Sequence, residues 1–258
     1  MIQSLYAASS GMIAQQTQLD IISNNISNAN TIGYKKQHAE FADLMYQSIN
    51  QVKNSQTSME VGLGVKSTSI SREFTQGDLK KSGNDLDIAI SGKGFFKLQL
   101  GDGIVAYTRN GTFRLNHEGS IVNANGNKMI PEIRVPKDAA TISISKDGIV
   151  SVKKSGDENM LNIGQIKLAN FVNPSGLRSL GDNNFSSTEY SGSAITSMPG
   201  QNGIGETKQS YVEISNVELV REMTNLITTQ RSYEANAKVI TTTDEMLKIV
   251  NKLKSELI

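Results

Sequence analysis

Residues 23–36 read SNNISNANTIGYKK and end a region of helical apolar spacing. Asn and Ser side chains compete for backbone hydrogen bonds, which favours helix caps and turns over helix interiors. Gly33 permits a backbone conformation that a Cβ would penalise. The stretch therefore predicts the end of a long N-terminal helix, followed by a turn that leads the chain into a different region.

A narrow stripe of mostly apolar residues precedes this turn. Its members are separated by alternating steps of three and four residues: Leu5, Ala8, Met12, Gln15, Leu19, Ile22, Ile26 and Ala29. Such a seam is typical of a coiled coil and narrower than the apolar face of a buried helix. The polar member, Gln15, is of the kind that sets register and partner choice.

A second seam lies at the other end of the chain. Residues 206–258 contain neither Gly nor Pro, and this predicts one long helix, with Ser215 as its N-cap and Glu218 completing a capping box. The seam consists of Leu219, Met223, Leu226, Gln230, Tyr233, Ala237, Ile240, Asp244 and Leu247. The spacing again indicates a coiled-coil-like partner.

The middle of the chain has a β pattern. Short apolar runs are separated by Gly-Asp-Gly, Asn-Gly, Glu-Gly and Asp-Gly, and Asn-Gly between alternating residues is a strong hairpin signal. The predicted fold class is α+β, with a central antiparallel β domain between two long terminal helices that pair. The predicted domains are residues 1–46 with 206–258, an extended connector at 47–69, and the β domain with a loop-rich return at 70–205.

Composition narrows the function. The 258 residues include 26 basic and 25 acidic side chains, and this balance does not indicate nucleic acid as a partner. The chain has no Cys, no segment that resembles a cleaved secretion signal and no apolar run of the roughly 18 residues typical of a membrane span. We therefore expect no disulfide, no thiolate metal site and no membrane-embedded segment.

No combination of residues favours catalysis. The two histidines, His38 and His117, have no nucleophile motif near them in sequence. Asp85 and Asp87 are better explained as a turn before a strand than as a pair of catalytic carboxylates. We expect no enzyme activity, cofactor or metal ion. The two helical seams are therefore the remaining candidate for a functional feature. Their pattern fits a helix pair within one chain as well as helices that pack between subunits.

The sequence resembles a known family at both ends and in the middle. SNNISNANTIGYKK, the segment GFFKL with AYTRNGTFRLNHEGSIVNANG, and SNVELVREMTNLITTQRSYEANAKVITTTDEMLKIVNKL are similar to motifs of bacterial flagellar axial proteins, the rod and hook family. The resemblance covers nearly the whole chain and is strongest to subunits of the distal rod of the basal body. The family motif comprises Ser23, Asn24, Asn25, Asn28, Asn30, Thr31, Gly33 and Tyr34.

This resemblance implies a structural subunit that polymerises helically into the hollow shaft transmitting torque from motor to hook. It implies a periplasm-spanning rod, export by the flagellar apparatus without a cleaved signal, and contacts with other copies, other rod subunits, the hook protein and ring proteins. The implied assembly interface is formed by Leu5, Met12, Leu19, Ile22, Ile26, Leu219, Met223, Leu226, Tyr233, Ile240 and Leu247.

Three alternatives stay open on the sequence alone. The stretch 47–64 is shorter than expected for a distal-rod subunit, which leaves a proximal-rod subunit of the same family. Two further hypotheses belong to other functional classes: a cell-wall-associated enzyme, and a secreted adhesin that uses the same helical ends.

Overall fold

The computed structural model describes residues 2–48, 60–101, 103–154 and 159–256. The chain divides into two compact units. The helical unit comprises Met1–Ser27, Gln37–Arg72 and Glu218–Ile258, and the β unit comprises Asn28–Lys36 and Glu73–Val217. Two long helices and a large antiparallel β region confirm the α+β class. These units place residues 37–72 with the helices, since residues 37–43 and 65–72 contact the N-terminal helix, and they place residues 206–217 with the β strands.

The helical unit contains both helices and a long hairpin. Helix α1 spans Ile2–Ser27 and helix α2 spans Leu219–Glu256, and they contact each other. Strands β1 (Gln37–Asp43) and β4 (Val65–Arg72) pair antiparallel, as do β2 (Tyr46–Ser48) and β3 (Glu60–Gly62). Part of the predicted connector is therefore a strand pair. Residues 49–59 lie outside the described residues.

The β unit is built from short strands joined by tight turns. They are β5 (Leu79–Lys81), β6 (Ile88–Ser91), β7 (Phe95–Gln99), β8 (Val105–Thr108), β9 (Phe113–Leu115), β10 (Ile121–Asn123), β11 (Lys128–Met129), β12 (Ala139–Ile144), β13 (Ile149–Lys154), β14 (Met160–Gln165), β15 (Leu168–Asn170), β16 (Arg178–Gly181), β17 (Asn184–Ser186), β18 (Ile195–Ser197), β19 (Glu206–Gln209) and β20 (Tyr211–Glu213). A single turn of 3-10 helix covers Pro174–Gly176.

All strand pairs of the β unit are antiparallel within the described residues. The largest sheet has the order β16-β17-β8-β7-β11-β10-β9, with β15 pairing both β7 and β18. A three-stranded sheet has the order β12-β13-β14, and two further pairs join β6 to β19 and β5 to β20. The last two pairs place residues 206–213, which precede α2, beside strands from the first half of the β unit.

Alternating apolar side chains fill two cores in the β unit. The larger contains residues such as Ile88, Phe96, Leu98 and Val150, each fully buried. The smaller is aromatic: the ring centroids of Phe95 and Phe171 lie 5.7 Å apart in an edge-to-face arrangement. Burial of these side chains is the main favourable contribution to folding of this unit.

Most predicted turns occur where expected. Gly119, Gly126 and Gly148 have positive φ and lie between paired neighbouring strands. The hairpin expected at Asn110-Gly111 is wrong, because β8 pairs with β7 and β17 while β9 pairs with β10. Gly111 serves instead a close backbone approach, since its carbonyl accepts a hydrogen bond from the Ile88 N–H at 2.9 Å.

The ends of the helices also differ from the prediction. Helix α2 begins at Leu219, so Ser215 is not its N-cap; the Ser215 hydroxyl accepts a hydrogen bond from the Val217 N–H at 3.3 Å. Residues 206–209 and 211–213 instead form strands β19 and β20, and β19 alternates between more exposed and more buried positions. Helix α1 ends at Ser27, which leaves Ala29 of the predicted seam in the following turn.

A Cβ at Gly111 tests the close approach. The added carbon overlaps the carbonyl oxygen of Ile88, whereas a Cβ at Gly101 meets no neighbour within 4 Å. We expect Gly111→Ala to lower the free energy of unfolding by about 1–3 kcal/mol and Gly101→Ala to change it by less than about 0.5 kcal/mol. Urea denaturation followed by circular dichroism measures both, and equal effects would contradict the assigned approach.

Glu132 gives a second test, through its pH dependence. The Ser120 hydroxyl, followed by Arg134 and Lys128, lowers the pKa of the Glu132 carboxyl from 4.5 to about 2 by hydrogen bonding. A lowered pKa contributes stability that is complete above about pH 4.5 and is lost as the pH falls toward 2. Glu132→Gln is expected to be less stable than the wild type at pH 7, with the difference shrinking between pH 4.5 and 2.

The control for this pH series is Glu189→Gln, an exposed carboxyl for which no ion pair is found among the described residues. Urea midpoints of the three proteins at pH 7, 4 and 2.5 provide the comparison. A wild-type to Glu132→Gln difference that is independent of pH argues against the lowered pKa.

Candidate functional site

The family-like motif begins in the last turn of α1. Asn25 is buried, and its side-chain amide donates to the Gln37 carbonyl at 2.8 Å while its Oδ1 accepts from the Gln37 N–H at 2.9 Å. One amide thus pairs with both backbone groups of the residue that begins β1. This arrangement satisfies the buried amide and fixes the start of the hairpin against the end of the helix.

The second half of the motif folds as part of the β unit. The Thr31 N–H donates to the Asn28 carbonyl at 3.1 Å, and the Thr31 hydroxyl donates to the Asn28 side chain at the same distance. Gly33 has φ of 70° and its N–H donates to the Glu213 carbonyl at 2.8 Å. A Cβ at Gly33 would lie 2.7 Å from the Asn110 nitrogen, so the sequence-based reason for glycine here is confirmed.

A buried ionic cluster joins this segment to the rest of the β unit. The Lys35 ammonium lies 2.6 Å from Glu213 Oε1 and donates to the Thr75 carbonyl at 2.6 Å, while Arg109 Nη1 lies 3.3 Å from Glu213 Oε2. The Gly77 N–H donates a further hydrogen bond to Glu213 Oε1 at 2.9 Å. Burial lowers the pKa of Lys35, and the charge of Glu213 opposes that effect.

Neutral contacts extend this cluster along three chain segments. The Lys36 N–H donates to Asn216 Oδ1 at 2.8 Å, Asn216 Nδ2 donates to the Glu73 carbonyl at 2.9 Å, and the Glu73 N–H donates to the Lys36 carbonyl at 3.0 Å. We call Lys35, Lys36, Glu73, Arg109, Glu213 and Asn216 the junction cluster. It holds together the residues at or next to three of the four places where the chain passes between its units.

Small side chains allow the two helices to contact each other in the helical unit. Ala8 and Ala14 of α1 are buried, and a Cβ at Gly11 would lie 2.8 Å from Asn236 Nδ2 of α2. On α2 the buried side chains include Thr229 and Thr243, whose hydroxyls donate to carbonyls of their own helix at 2.7 Å. Their polar atoms are thereby satisfied without a partner across the helix pair.

Large apolar side chains remain uncovered on both helices. Tyr6 and Ile13 of α1 are 68% and 65% exposed. On α2 the exposed set comprises Leu219, Val220, Met223, Ile227, Val239, Met246, Ile249, Val250 and Leu253. Isolated exposed apolar residues are normal, but a repeated series along one helix indicates a surface that packs against another molecule.

The predicted interface residues fall into two groups. Ile22 is buried, and Leu5, Met12, Leu19, Ile26, Leu226, Tyr233, Ile240 and Leu247 are half-buried. Leu219 and Met223 are about half exposed. On α2 the buried Glu222, Thr229 and Thr243 each precede a predicted seam residue by one position, so the buried stripe is displaced from the predicted seam.

The motif residues are also divided. Asn25, Gly33 and Tyr34 are buried. Asn28 and Thr31 are half-buried, whereas Ser23, Asn24 and Asn30 are exposed. Sequence reasoning missed Arg109, Glu213 and Asn216. The available signal was Glu213 itself, a charged residue within YVEI, whose other members favour a strand, because a charge at a buried strand position needs a charged partner.

At His38 the described residues do not form the hydrogen-bond chain of a hydrolase site. His38 Nε2 lies 2.9 Å from the Ser71 hydroxyl, but that hydroxyl donates to Glu40 directly at 2.8 Å. In a catalytic triad the carboxylate contacts the other imidazole nitrogen. Among the described residues no group of three metal-ligating side chains is found. Within the residues that the structure describes, neither helix combines the length and the apolar character of a membrane span.

Comparison with family models finds similarity over three regions. The model "Flagella basal body rod protein" matches residues 5–35, "Flagellar hook protein FlgE/F/G D1 domain" matches residues 89–152, and "Flagellar basal body rod FlgEFG protein C-terminal" matches residues 208–253. The matches thus include α1 with the motif, much of the β unit, and α2 with the strands before it.

Curated relatives are similar over almost the entire chain. The flagellar basal-body rod protein FlgG of Caulobacter vibrioides is 45% identical over 262 residues, and that of Buchnera aphidicola subsp. Acyrthosiphon pisum is 44% identical over 260; each comparison covers 98% of this chain and 100% of the relative. The flagellar basal-body rod protein FlgF of Caulobacter vibrioides is 35% identical over 253 residues, which is 95% of each chain.

Removing the charge of Glu213 tests the junction cluster. Glu213→Gln removes the carboxylate that pairs with the buried Lys35 and Arg109, and breaking a buried ion pair in this way costs about 3–5 kcal/mol. Glu73→Gln removes a partly exposed ion pair with Lys36 and is expected to cost less than about 1 kcal/mol. Urea denaturation at pH 7 measures both, and a small loss for Glu213→Gln would show that the cluster contributes little to stability.

Proposed function

The chain belongs to the FlgE/F/G family of flagellar rod and hook proteins, and on that premise we propose that it is a distal-rod subunit which polymerises helically through its helical unit. Its place is the flagellar basal body. The FlgG relatives support the distal rod, because their identities of 37–45% over nearly the full length exceed the 35% of the FlgF relative. A proximal-rod subunit is therefore not favoured.

The observation that carries this function is the uncovered apolar series on α2. Val220, Ile227 and Ile249 are each more than half exposed, and they lie along almost the whole length of the helix. Covering them removes apolar surface from water, which is the main favourable term in most protein association. Neighbouring copies that present the same two helices are the partners we propose for these faces.

The assembly we propose is open-ended. A shaft that grows by adding subunits cannot close by two-fold symmetry, so one surface of each copy contacts a different surface of the next copy. Helices α1 and α2 offer such different surfaces, since α1 exposes Tyr6 and Ile13 while α2 exposes a longer series. Within the assembly we propose coiled-coil-like pairing along the predicted seams, with Leu19 and Leu226 as members.

The role we propose is structural, without a catalytic step. The family and the relatives named above are rod and hook proteins, and the histidine geometry does not match a triad. Other rod subunits and the hook are the further partners that we propose, since the family models describe such components.

Electron microscopy tests polymerisation directly. Purified full-length chain at increasing concentration is expected to form fibres with a central channel. Dispersed particles at every concentration would count against self-assembly through this chain alone. Fibres without a channel would keep polymerisation and contradict the hollow shaft.

A charge on the exposed series separates assembly from folding. Ile249 is 60% exposed, so Ile249→Asp is expected to leave the unfolding free energy within about 0.5 kcal/mol of the wild type. In an assembled interface the same carboxylate is buried without a partner, and assembly measured by sedimentation is expected to be lost. Asn251→Asp introduces the same charge two residues away at another exposed position and is the matched control. Equal sedimentation of Ile249→Asp and the wild type would refute this face as an interface.

A further inference from the structure

A small cavity lies beside the aromatic core of the β unit, and the residues that line it all belong to that unit. Its volume is about 150 Å³, and Phe74, Phe95 and Phe171 supply aromatic walls. The Phe74 and Phe95 ring centroids lie 5.4 Å apart, edge to face. This volume admits a side chain of a few heavy atoms, and it is too small for a helix or a strand.

The lining of the cavity is positively charged. Lys93 and Arg109 both line it, and its lining contains no carboxylate. Lys93 is exposed and forms no salt bridge within the described part of the chain. A carboxylate is the side chain that these two groups recognise best, because Arg and Lys form charge-assisted hydrogen bonds with it.

Arg109 has hydrogen-bonding capacity left. It is 4% exposed; Nη1 contacts Glu213, and Nη2 donates to the Gly92 carbonyl at 2.7 Å. Its Nε is buried and forms no hydrogen bond with the described residues. Since Lys35 also pairs with Glu213, the two buried cations share one carboxylate. An added negative charge beside Arg109 therefore balances the positive charge of the cluster.

The rim of the cavity is suited to protein contact. Val172 lines the cavity and is 83% exposed, and Tyr190 is 85% exposed. Tyr190 is not part of the lining, but its backbone lies close by, because the side chain of Asn173, which follows Val172 in the chain, donates to the Tyr190 carbonyl at 3.3 Å. Apolar side chains around a desolvated polar contact are the usual anatomy of an interface, since they exclude water from the charge pair.

We propose that this cavity receives an Asp or Glu side chain of a neighbouring copy of the chain, and that the contact joins β units in the rod. The inference rests on the proposed function, because polymerisation brings copies together. Charge complementarity supports a copy as occupant, since the chain carries 25 acidic residues and the cavity offers two cations to a carboxylate. The contact adds a polar specificity element to an assembly otherwise held by apolar helix faces.

Zero-length crosslinking tests the contact. A carbodiimide activates a carboxyl group, and the Lys93 amine displaces the activated oxygen to form an amide only where the two groups touch. Fibres are grown from equal amounts of ¹⁴N-labelled and ¹⁵N-labelled full-length chain. We expect mass spectrometry to find Lys93 joined to an acidic residue in pairs of mixed isotope. Lys93 products of single isotope only, or none while other lysines give mixed pairs, would overturn the proposal.

A charge reversal at the mouth gives an independent readout. Lys93→Glu is expected to raise the concentration at which half of the protein sediments by roughly tenfold, the effect of losing one close charge pair. The matched control is Lys146→Glu, an exposed lysine on the turn between β12 and β13 that does not line the cavity. Equal midpoints for Lys93→Glu and the control refute the contact.

The outcomes separate this inference from the proposed function. If fibres form normally but contain no Lys93 crosslink, the contact at the cavity is refuted and the proposed polymerisation stands. A full-length chain that forms no sedimenting assembly at any concentration counts against both self-assembly and the contact.

Discussion

The carboxylate of Glu213 is the group on which the organisation of the β unit depends. It is almost fully buried, and it accepts from Lys35 of the motif segment, from Arg109 after β8 and from the Gly77 N–H. A buried carboxylate is tolerated only where donors replace its water, and each of these donors comes from a different part of the chain. The correct fold is therefore the one in which all of them meet.

This constraint explains why the motif SNNISNANTIGYKK has two halves. The first half ends α1 and, through Asn25, fixes the beginning of β1. The second half leaves the helical unit and becomes part of the β unit, where Gly33 approaches Glu213 closely enough for a backbone hydrogen bond. A glycine is required because this approach combines positive φ with little space for a Cβ. One short stretch therefore contributes residues to the packing of both units.

The sequence was sufficient for local features and insufficient for long-range ones. Helical spacing, the end of α1 near Ser27 and the glycine turns follow from rules that involve neighbouring residues. The failure at Asn110-Gly111 arose because partners of β8 and β9 are chosen by the core rather than by the turn. The junction cluster joins residues more than a hundred positions apart, as with Lys35 and Glu213, and no periodicity within one segment reports such a pair. The displaced stripe on α2 has the same origin, since Gly11 of α1 closely approaches Asn236 of α2, a residue outside the predicted seam.

Ionic and apolar contacts have different roles in this protein, because only the ionic contacts define the relative positions of the groups that they join. Apolar burial along α2 is strong but non-directional, so by itself it permits a helix to slide or rotate against its neighbours. Hydrogen-bonded charges have fixed geometry and are unfavourable when unpaired, which makes them suited to defining one arrangement even where they add little net stability. The junction cluster places such contacts next to three of the four points where the chain passes between its units, at residues 36–37, 72–73 and 217–218. The β unit therefore depends on these directional contacts to fix how its segments at residues 28–36, 73–78 and 209–217 meet, which apolar burial alone leaves undefined.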